Sequence, residues 1–357
     1  MAIAEQIGDT DYQLRALWGL WALSINRGEF RAALKLARKF LGVATKSLDV
    51  ADPLIGERIM GVSLYFLGEL TAARRRVERM LGNYVTPANR SHITRYQFDQ
   101  RIVANIHLAE ILWLQGFPDQ AAHIAARNID DAEALDHEIS LTYTLAQSGC
   151  PIALRTGDLQ AAERFVTMMM DRHSWHGSQP WEQWGRCYKG VLLIKRGDIA
   201  EGIQALTTAL EELPEKAFHM RYTAFLGELA EALGGAGKIA EGLKTIDQAL
   251  AKSQTHEEGW CIAELLRVKG ELLVKHAGEG AAVVAEEQFQ HSLDQARRQE
   301  ALSWELRTAR SLARLWQSQG RSNDARDMLT LVYGRFTEGF ETSDLKMAKS
   351  LIEELSA

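Results

Sequence analysis

A glycine recurs along this chain at a nearly fixed interval: Gly28, Gly68, Gly116, Gly157, Gly197, Gly237 and Gly320. The intervals are 40, 48, 41, 40, 40 and 83 residues, the last being two units with one turn hidden in the insertion Ala277-Gly278-Glu279-Gly280. A period of this length belongs to stacked-repeat architectures, so it constrains every later reading. Two small-residue positions move in step with the glycine. Five residues after it stand Ala33, Ala73, Ala121, Ala162, Gly202, Gly242 and Ala325. Seven before it stand Gly61, Ala109, Cys150, Gly190, Ala230 and Ala313, with Gly270 seven before Ala277; only the first unit departs, with Trp21. Small residues belong where antiparallel helices cross near a tight turn, because anything larger than a methyl would push the backbones apart.

Apolar spacing around these points is helical. In the fifth unit Val191–Ile194 ends a first helix, and Ile199, Ile203, Leu206 and Leu210 mark one face of the second. The glycine ends the first helix by taking positive φ, and Asp158 or Asp198 is expected to N-cap the second. One αα-hairpin cannot bury its own apolar face, so stacking must supply the partner. The expectation is an all-α, right-handed solenoid of about eight hairpins, with turns near 28, 68, 116, 157, 197, 237, 278 and 320. Residues 1–357 then form one continuous domain without a hydrophobic centre, closed by a capping helix over 342–355 that starts at Ser343-Asp344.

The spacing of small residue, turn glycine and early alanine resembles the tetratricopeptide repeat, with a unit of about 40 residues in place of 34. A narrower resemblance rests on GRCYKGVLLIKRGDIAEG (185–202) with RYTAFLGELAEALGGAGKIAEGL (221–243), and on residues 285–321 with 332–355. These stretches are similar to the C-terminal repeat region of bacterial signal-transduction predicted ATPases, ATP-binding transcriptional regulators and cyclase-fused relatives. The resemblance implies a non-catalytic protein-interaction or effector-sensing module of a bacterial regulator, acting in the cytoplasm. Residues 4–28 align without a gap on residues 296–320, so the chain is expected to begin inside a repeat, as a fragment or shortened relative of a longer protein.

Several function classes lose support. A net charge of -6 without a concentrated basic face argues against direct nucleic-acid binding. The run Arg74-Arg75-Arg76 reads as a solvated helix face. No Gly-x-x-x-x-Gly-Lys-Ser/Thr loop occurs, and Leu233-Gly234-Gly235-Ala236-Gly237 lies at a helix-to-helix turn without a preceding strand, so no nucleotide site is carried over. Cys150, Cys187 and Cys261 are isolated, as expected of reduced buried thiols and not of a zinc ribbon. His173 and His176, near Trp181 and Trp184, read as loop packing and not as a metal pair, and His107 with Glu110 as a chance helical pair. No cofactor, no catalytic residue, no metal ligand and no membrane span is expected.

Counting from the turn glycine, the first helices place Trp18, Arg58, Tyr65, Glu110, Trp113 and Trp184 at exposed positions of a concave face, with Glu231, Glu264, Arg267, Arg310 and Arg314 farther along. An aromatic and arginine-lined groove suits a protein or peptide segment, or a small effector. The alternatives are a free-standing scaffold between two proteins and, remotely, an enzyme with a groove-assembled site.

Overall fold

The computed structural model describes residues 9–87, 91–171, 179–213, 220–276, 278 and 280–356, and among them every regular element is helical. The first unit is α1 (Thr10–Asn26) and α2 (Phe30–Ala44). The second is α3 (Asp52–Phe66) and α4 (Leu70–Asn83), followed by a short α5 (Ser91–Tyr96). Then come α6 (Gln100–Leu114) with α7 (Pro118–Ala134), and α8 (Glu138–Thr144) running through a π turn into α9 (Cys150–Thr156), paired with α10 (Leu159–Met170). Four more units follow: α11 (Gln179–Arg196) with α12 (Ile199–Glu212), α13 (Tyr222–Gly235) with α14 (Ile239–His256), α15 (Ile262–His276) with α16 (Ala281–Gln299), and α17 (Leu302–Ser318) with α18 (Ser322–Tyr333). Helix α19 (Ser343–Ser356) closes the stack. The architecture is the expected tetratricopeptide-like solenoid.

The seven sequence-marked hairpin turns are built the same way, while at the eighth Ala281 N–H donates to Gly278 O at 3.0 Å. The turn glycine has positive φ at all seven sequence-marked positions, and Gly280, with φ of 74°, supplies the hidden turn. With Gly28 in that region, Glu29 N–H donates to Ser24 O at 2.8 Å. The same bond recurs as Glu69 to Leu64, Phe117 to Leu112, Asp158 to Ala153, Asp198 to Leu193, Lys238 to Leu233 and Arg321 to Trp316. It satisfies a carbonyl that the helix end would otherwise strand. Asp158 caps α10 through Ala161 N–H at 2.9 Å. Asp198 makes no such bond and α12 begins without a side-chain cap, a correction to the sequence reading.

The small positions lie where the two helices of a hairpin touch. A Cβ at Gly190 would fall 2.8 Å from Leu206 N, and one at Gly202 would fall 2.9 Å from Gly190 O. Ala285, five residues after Gly280, is fully buried like Ala33, Ala73, Ala121, Ala162 and Ala325, which puts the seventh unit in the common register. Between units, the second helix of one packs on the first helix of the next. Gly56 of α3 lies under Phe40 of α2, Gly185 of α11 under Met170 of α10, and Thr308 of α17 shares a 2.8 Å hydrogen bond with Ser292 of α16. Among the described residues no helix precedes α1, and there Leu20 and Leu23 are 43% and 45% exposed, whereas their equivalents Leu312 and Leu315 are buried.

The solenoid winds tightly enough for its second turn to rest on its first. Gly259 N–H donates to Phe66 O at 2.7 Å, and the Gly68 turn packs against Gln299 and Gly259. One unit on, the Gly116 turn meets Leu302 while Ser303 Oγ donates to Trp113 O; a further unit on, Gly157 meets Ser343. Units two, three and four thus touch the segments entering α15, α17 and α19. Gly339 N–H to Asp119, Gln120 to Glu338, Arg31 to Glu257 and Thr71 to Glu300 add to this seam, with partners 190 to 229 positions apart. The winding also corrects the expectation of an array without a hydrophobic centre. Trp113 and Trp304 meet edge to face at 4.7 Å, Trp260 is fully buried against Tyr65, and one core runs from Leu14 to Trp304. A second core, from Ala285 to Leu355, seats α19 on α17 and α18.

Because the Gly190 backbone touches Leu206, Gly190→Val should destabilise the protein by roughly 1–3 kcal/mol through forced separation of α11 and α12. Urea unfolding followed by circular dichroism measures this, and an unchanged midpoint would remove the close-approach argument.

Candidate functional site

The inner face of the superhelix carries three groups of side chains, two of them built on ion pairs. At the centre, Glu110 of α6 accepts through one oxygen from Tyr65 (2.9 Å), Arg155 (2.9 Å) and Arg221 (3.0 Å). Arg155 lies over Trp113, Trp260 and Trp304, at 4.9, 5.3 and 5.7 Å from their ring centres. Burial opposes ionisation of Glu110, but Arg155 and Arg221 outweigh it and hold the carboxyl below its ordinary value.

Local sequence explains how Arg221 reaches this place. Pro151 has no N–H, so the carbonyl four residues earlier, at Gln147, has no helical donor. The helix widens there into the π turn Leu145–Gly149, and Arg221 donates to both the backbone oxygen and the side-chain oxygen of Gln147. Arg221 itself sits at φ 68° immediately before α13. His107 is not part of a catalytic pair with Glu110: its Nδ1 bonds Val103 O at 2.9 Å. Burial, helped by Arg58 and Arg221, pushes its pKa down to about 4.

Toward the C-terminus, Arg267 meets Glu231, Glu264 and Glu271 at 2.6–2.8 Å, and Arg307 meets Glu264 and Asp344 at 2.9 and 2.7 Å. Arg310 adds a longer contact to Asp344, and Lys195 pairs with Glu228. A cavity of about 280 Å³ lies among Lys195, Glu231, Arg267, Arg307 and Arg310, yet each of these groups has an opposite charge beside it. Arg267–Glu231, Arg307–Glu264 and Lys195–Glu228 each link the first helices of neighbouring repeats.

The third group is different in kind. A cavity of about 250 Å³ opens on the inner face of the N-terminal half, walled by Trp18, Trp21 and Ile25 of α1, Phe98, Ile139 and Tyr143 of α8, Trp181 of α11 and Met220. Arg58 of α3 forms part of the wall; it is 2% exposed, and its Nε donates to Gln100 at 2.9 Å. Its guanidinium lies 5.3 Å from the centre of the Trp21 ring, which is pinned by a 2.9 Å bond to Ser63. Trp181 meets Tyr143 edge to face at 5.7 Å.

The residues expected on an exposed concave face therefore separate. Trp18 and Arg58 line the pocket. Trp184 is fully buried behind Trp181, at 5.5 Å between rings. Tyr65, Glu110 and Trp113 are buried in the central group, because the second superhelical turn covers them. Glu264, Arg267 and Arg310 belong to the C-terminal network, and Arg314 pairs with Glu354 at the exposed edge. His173 and His176 lie outside the described residues. Within the Arg74-Arg75-Arg76 run, Arg76 is tied to Glu57 at 2.8 Å and Arg74 lies over Phe117, so two of the three are anchored side chains and not a free basic face. Sequence reading missed Phe98 and Met220, which come from connecting segments, and Ile139 and Tyr143, which lie at the start of the fourth unit's first helix, ahead of the π turn. Trp21 did carry a signal, as the one bulky residue at a position otherwise held by small ones.

His107 generates a stability prediction. Its folded pKa lies below the unfolded value of about 6.5, so the unfolded chain binds the extra proton and stability falls as pH drops through the interval down to about 4. About 1 kcal/mol should be lost between pH 7 and 5.5, and roughly 3 kcal/mol by pH 4. His107→Gln should flatten the upper part of this dependence, where Glu110 stays ionised; urea titrations at pH 7 and 5.5 test it, and an equal slope in both proteins would refute it.

No protein-family model matches the sequence, and no curated protein is significantly similar to it. Among solved structures, the chain is similar to that described as "Crystal Structure of Rap Protein Complexed with Competence and Sporulation Factor", at a TM-score of 0.61 and 12% sequence identity, over 97% of this chain and 98% of that one. At that identity the two chains share a fold: the helical-repeat architecture extends over essentially the whole length of both.

Proposed function

We propose that this chain is a non-catalytic interaction and sensing module that takes a short protein segment or a small effector into the pocket of its N-terminal inner face. The observation that carries the reading is that pocket: an aromatic-walled cavity left open on an inner face whose centre is filled by Trp113, Trp260 and Trp304 and whose C-terminal cavity is lined by paired charges. Concave apolar cavities with few polar groups are the usual form of a ligand site. The structurally similar Rap protein was solved in complex with Competence and Sporulation Factor, which supports a binding role for this fold.

The pocket also suits sensing. Its walls come from α1, α3, α8 and α11, together with Phe98 and Met220, so an occupant touches several repeats at once. A ligand that fits one winding of those repeats better than another shifts the population toward it, and the seam between superhelical turns transmits the change. In the finer form of the proposal, the module serves the regulatory C-terminal region of a bacterial signalling ATPase or transcriptional regulator in the cytoplasm. No helix of the described residues is long and apolar enough to cross a membrane.

A thermal-shift screen of small effectors and short peptides tests the binding site. Ala22 is a half-buried wall residue, so Ala22→Trp should fill the pocket and abolish the stabilisation that hits confer on the wild-type protein. Hits that stabilise both proteins equally would place binding elsewhere.

A further inference from the structure

The pocket holds a cation without its counter-ion. Among the described residues four arginines are buried: Arg58, Arg221, Arg267 and Arg307. Three are matched by carboxylates, Arg221 by Glu110, Arg267 by three glutamates and Arg307 by Glu264 and Asp344. Arg58 has none. Its Nε bonds a neutral amide, one face lies against Trp21, and its two terminal nitrogens have no hydrogen-bond partner among the described residues. Glu138, at the exposed rim of the pocket, makes no ion pair with it. Burying a charge without a partner is costly, and a fold that sets a carboxylate beside each of its other buried guanidiniums leaves this one facing a cavity.

A second polar group is likewise unused. Tyr143 is 8% exposed and lines the same cavity, and its hydroxyl makes no hydrogen bond among the described residues. Asn26, Gln97 and Glu138 complete the polar lining, the other described wall residues are apolar or aromatic, and the cavity of about 250 Å³ lies below the roughly 300–1,000 Å³ of drug-sized sites. Its capacity is that of one large amino-acid residue.

Building on the pocket-binding reading, we infer that the occupant is a carboxylate attached to a flat apolar or aromatic body the size of one such residue. The Arg58 terminal nitrogens and the Tyr143 hydroxyl donate to the carboxylate, and Trp18, Trp181 and Phe98 enclose the body. A planar guanidinium matches a carboxylate with two parallel hydrogen bonds, which gives orientation as well as affinity. Burial lowers the Arg58 pKa to about 10, and an arriving anion relieves that unfavourable charge. The chemistry has two sources, a free aromatic acid or the C-terminal residue of a peptide.

Isothermal titration of the full chain with N-acetyl-tryptophan and with its amide tests the charge requirement directly. The acid should bind roughly 10- to 100-fold more tightly than the amide, the range expected for a charge-assisted hydrogen bond. Arg58→Met should remove that preference. Ile139→Asp, at a rim position 39% exposed, places a further carboxylate at the mouth and should weaken the acid by about ten-fold or more beyond any loss it shares with the amide. Indole-3-propionate and a tetrapeptide ending in tryptophan, each with free and amidated carboxyl, then distinguish the sources. Equal affinity of acid and amide overturns the charge inference while leaving the pocket in place. Binding of neither, when a different hit still loses its effect in Ala22→Trp, overturns the ligand class alone.

Discussion

Close approach of two antiparallel helices at a glycine turn is the constraint on which this molecule depends. At Gly190 and Gly202 the hairpin backbones come near enough that a single methyl would meet main-chain atoms. That proximity lets each hairpin present a flat apolar face to the next. No hairpin buries that face alone, so stability comes from stacking, and the stack is cooperative only while every unit keeps the same register. The hidden turn obeys this rule: the insertion lengthens the connection, but Gly280 and Ala285 return the chain to register.

Winding adds a level that stacking does not require. Because the rotation per unit is large, units two to four meet the segments entering α15, α17 and α19. The seam converts a nominally one-dimensional array into a molecule with long-range contacts and a filled axis. Polar groups trapped on that axis had to be partnered, and Glu110 with Arg155 and Arg221 shows how, down to the Gln147 carbonyl that Pro151 leaves free. The N-terminal inner face keeps an aromatic-walled opening, because the second superhelical turn does not reach over Trp18 and Arg58. The candidate site follows from where the superhelix leaves its axis uncovered.

The solenoid was legible in the sequence because its period is local. Turn glycine, small residue and apolar spacing all lie within one hairpin, and each reports a steric demand that its own neighbours impose. The pocket was legible only in part. Trp18 and Arg58 follow from register counting, and Trp21 from its departure from the small-residue rule. Tyr65, Glu110 and Trp113 come from the same inward-facing count yet are buried, since the register says which way a side chain points and not what lies opposite. Phe98 and Met220 belong to connecting segments, which carry no periodic signal.

Sequence alone determined the helical class, the number and place of the turns, and the side chains directed inward. Tertiary structure alone decided which of those side chains remain accessible, because that depends on contacts between residues 190 or more positions apart. A small change in rotation per unit, spread over every hairpin, sets whether the axis is open or closed, and no single repeat encodes it. The unmatched Arg58 is a result of the same kind: its charge is written in the chain, and the lack of a carboxylate beside it is a property of the wound molecule.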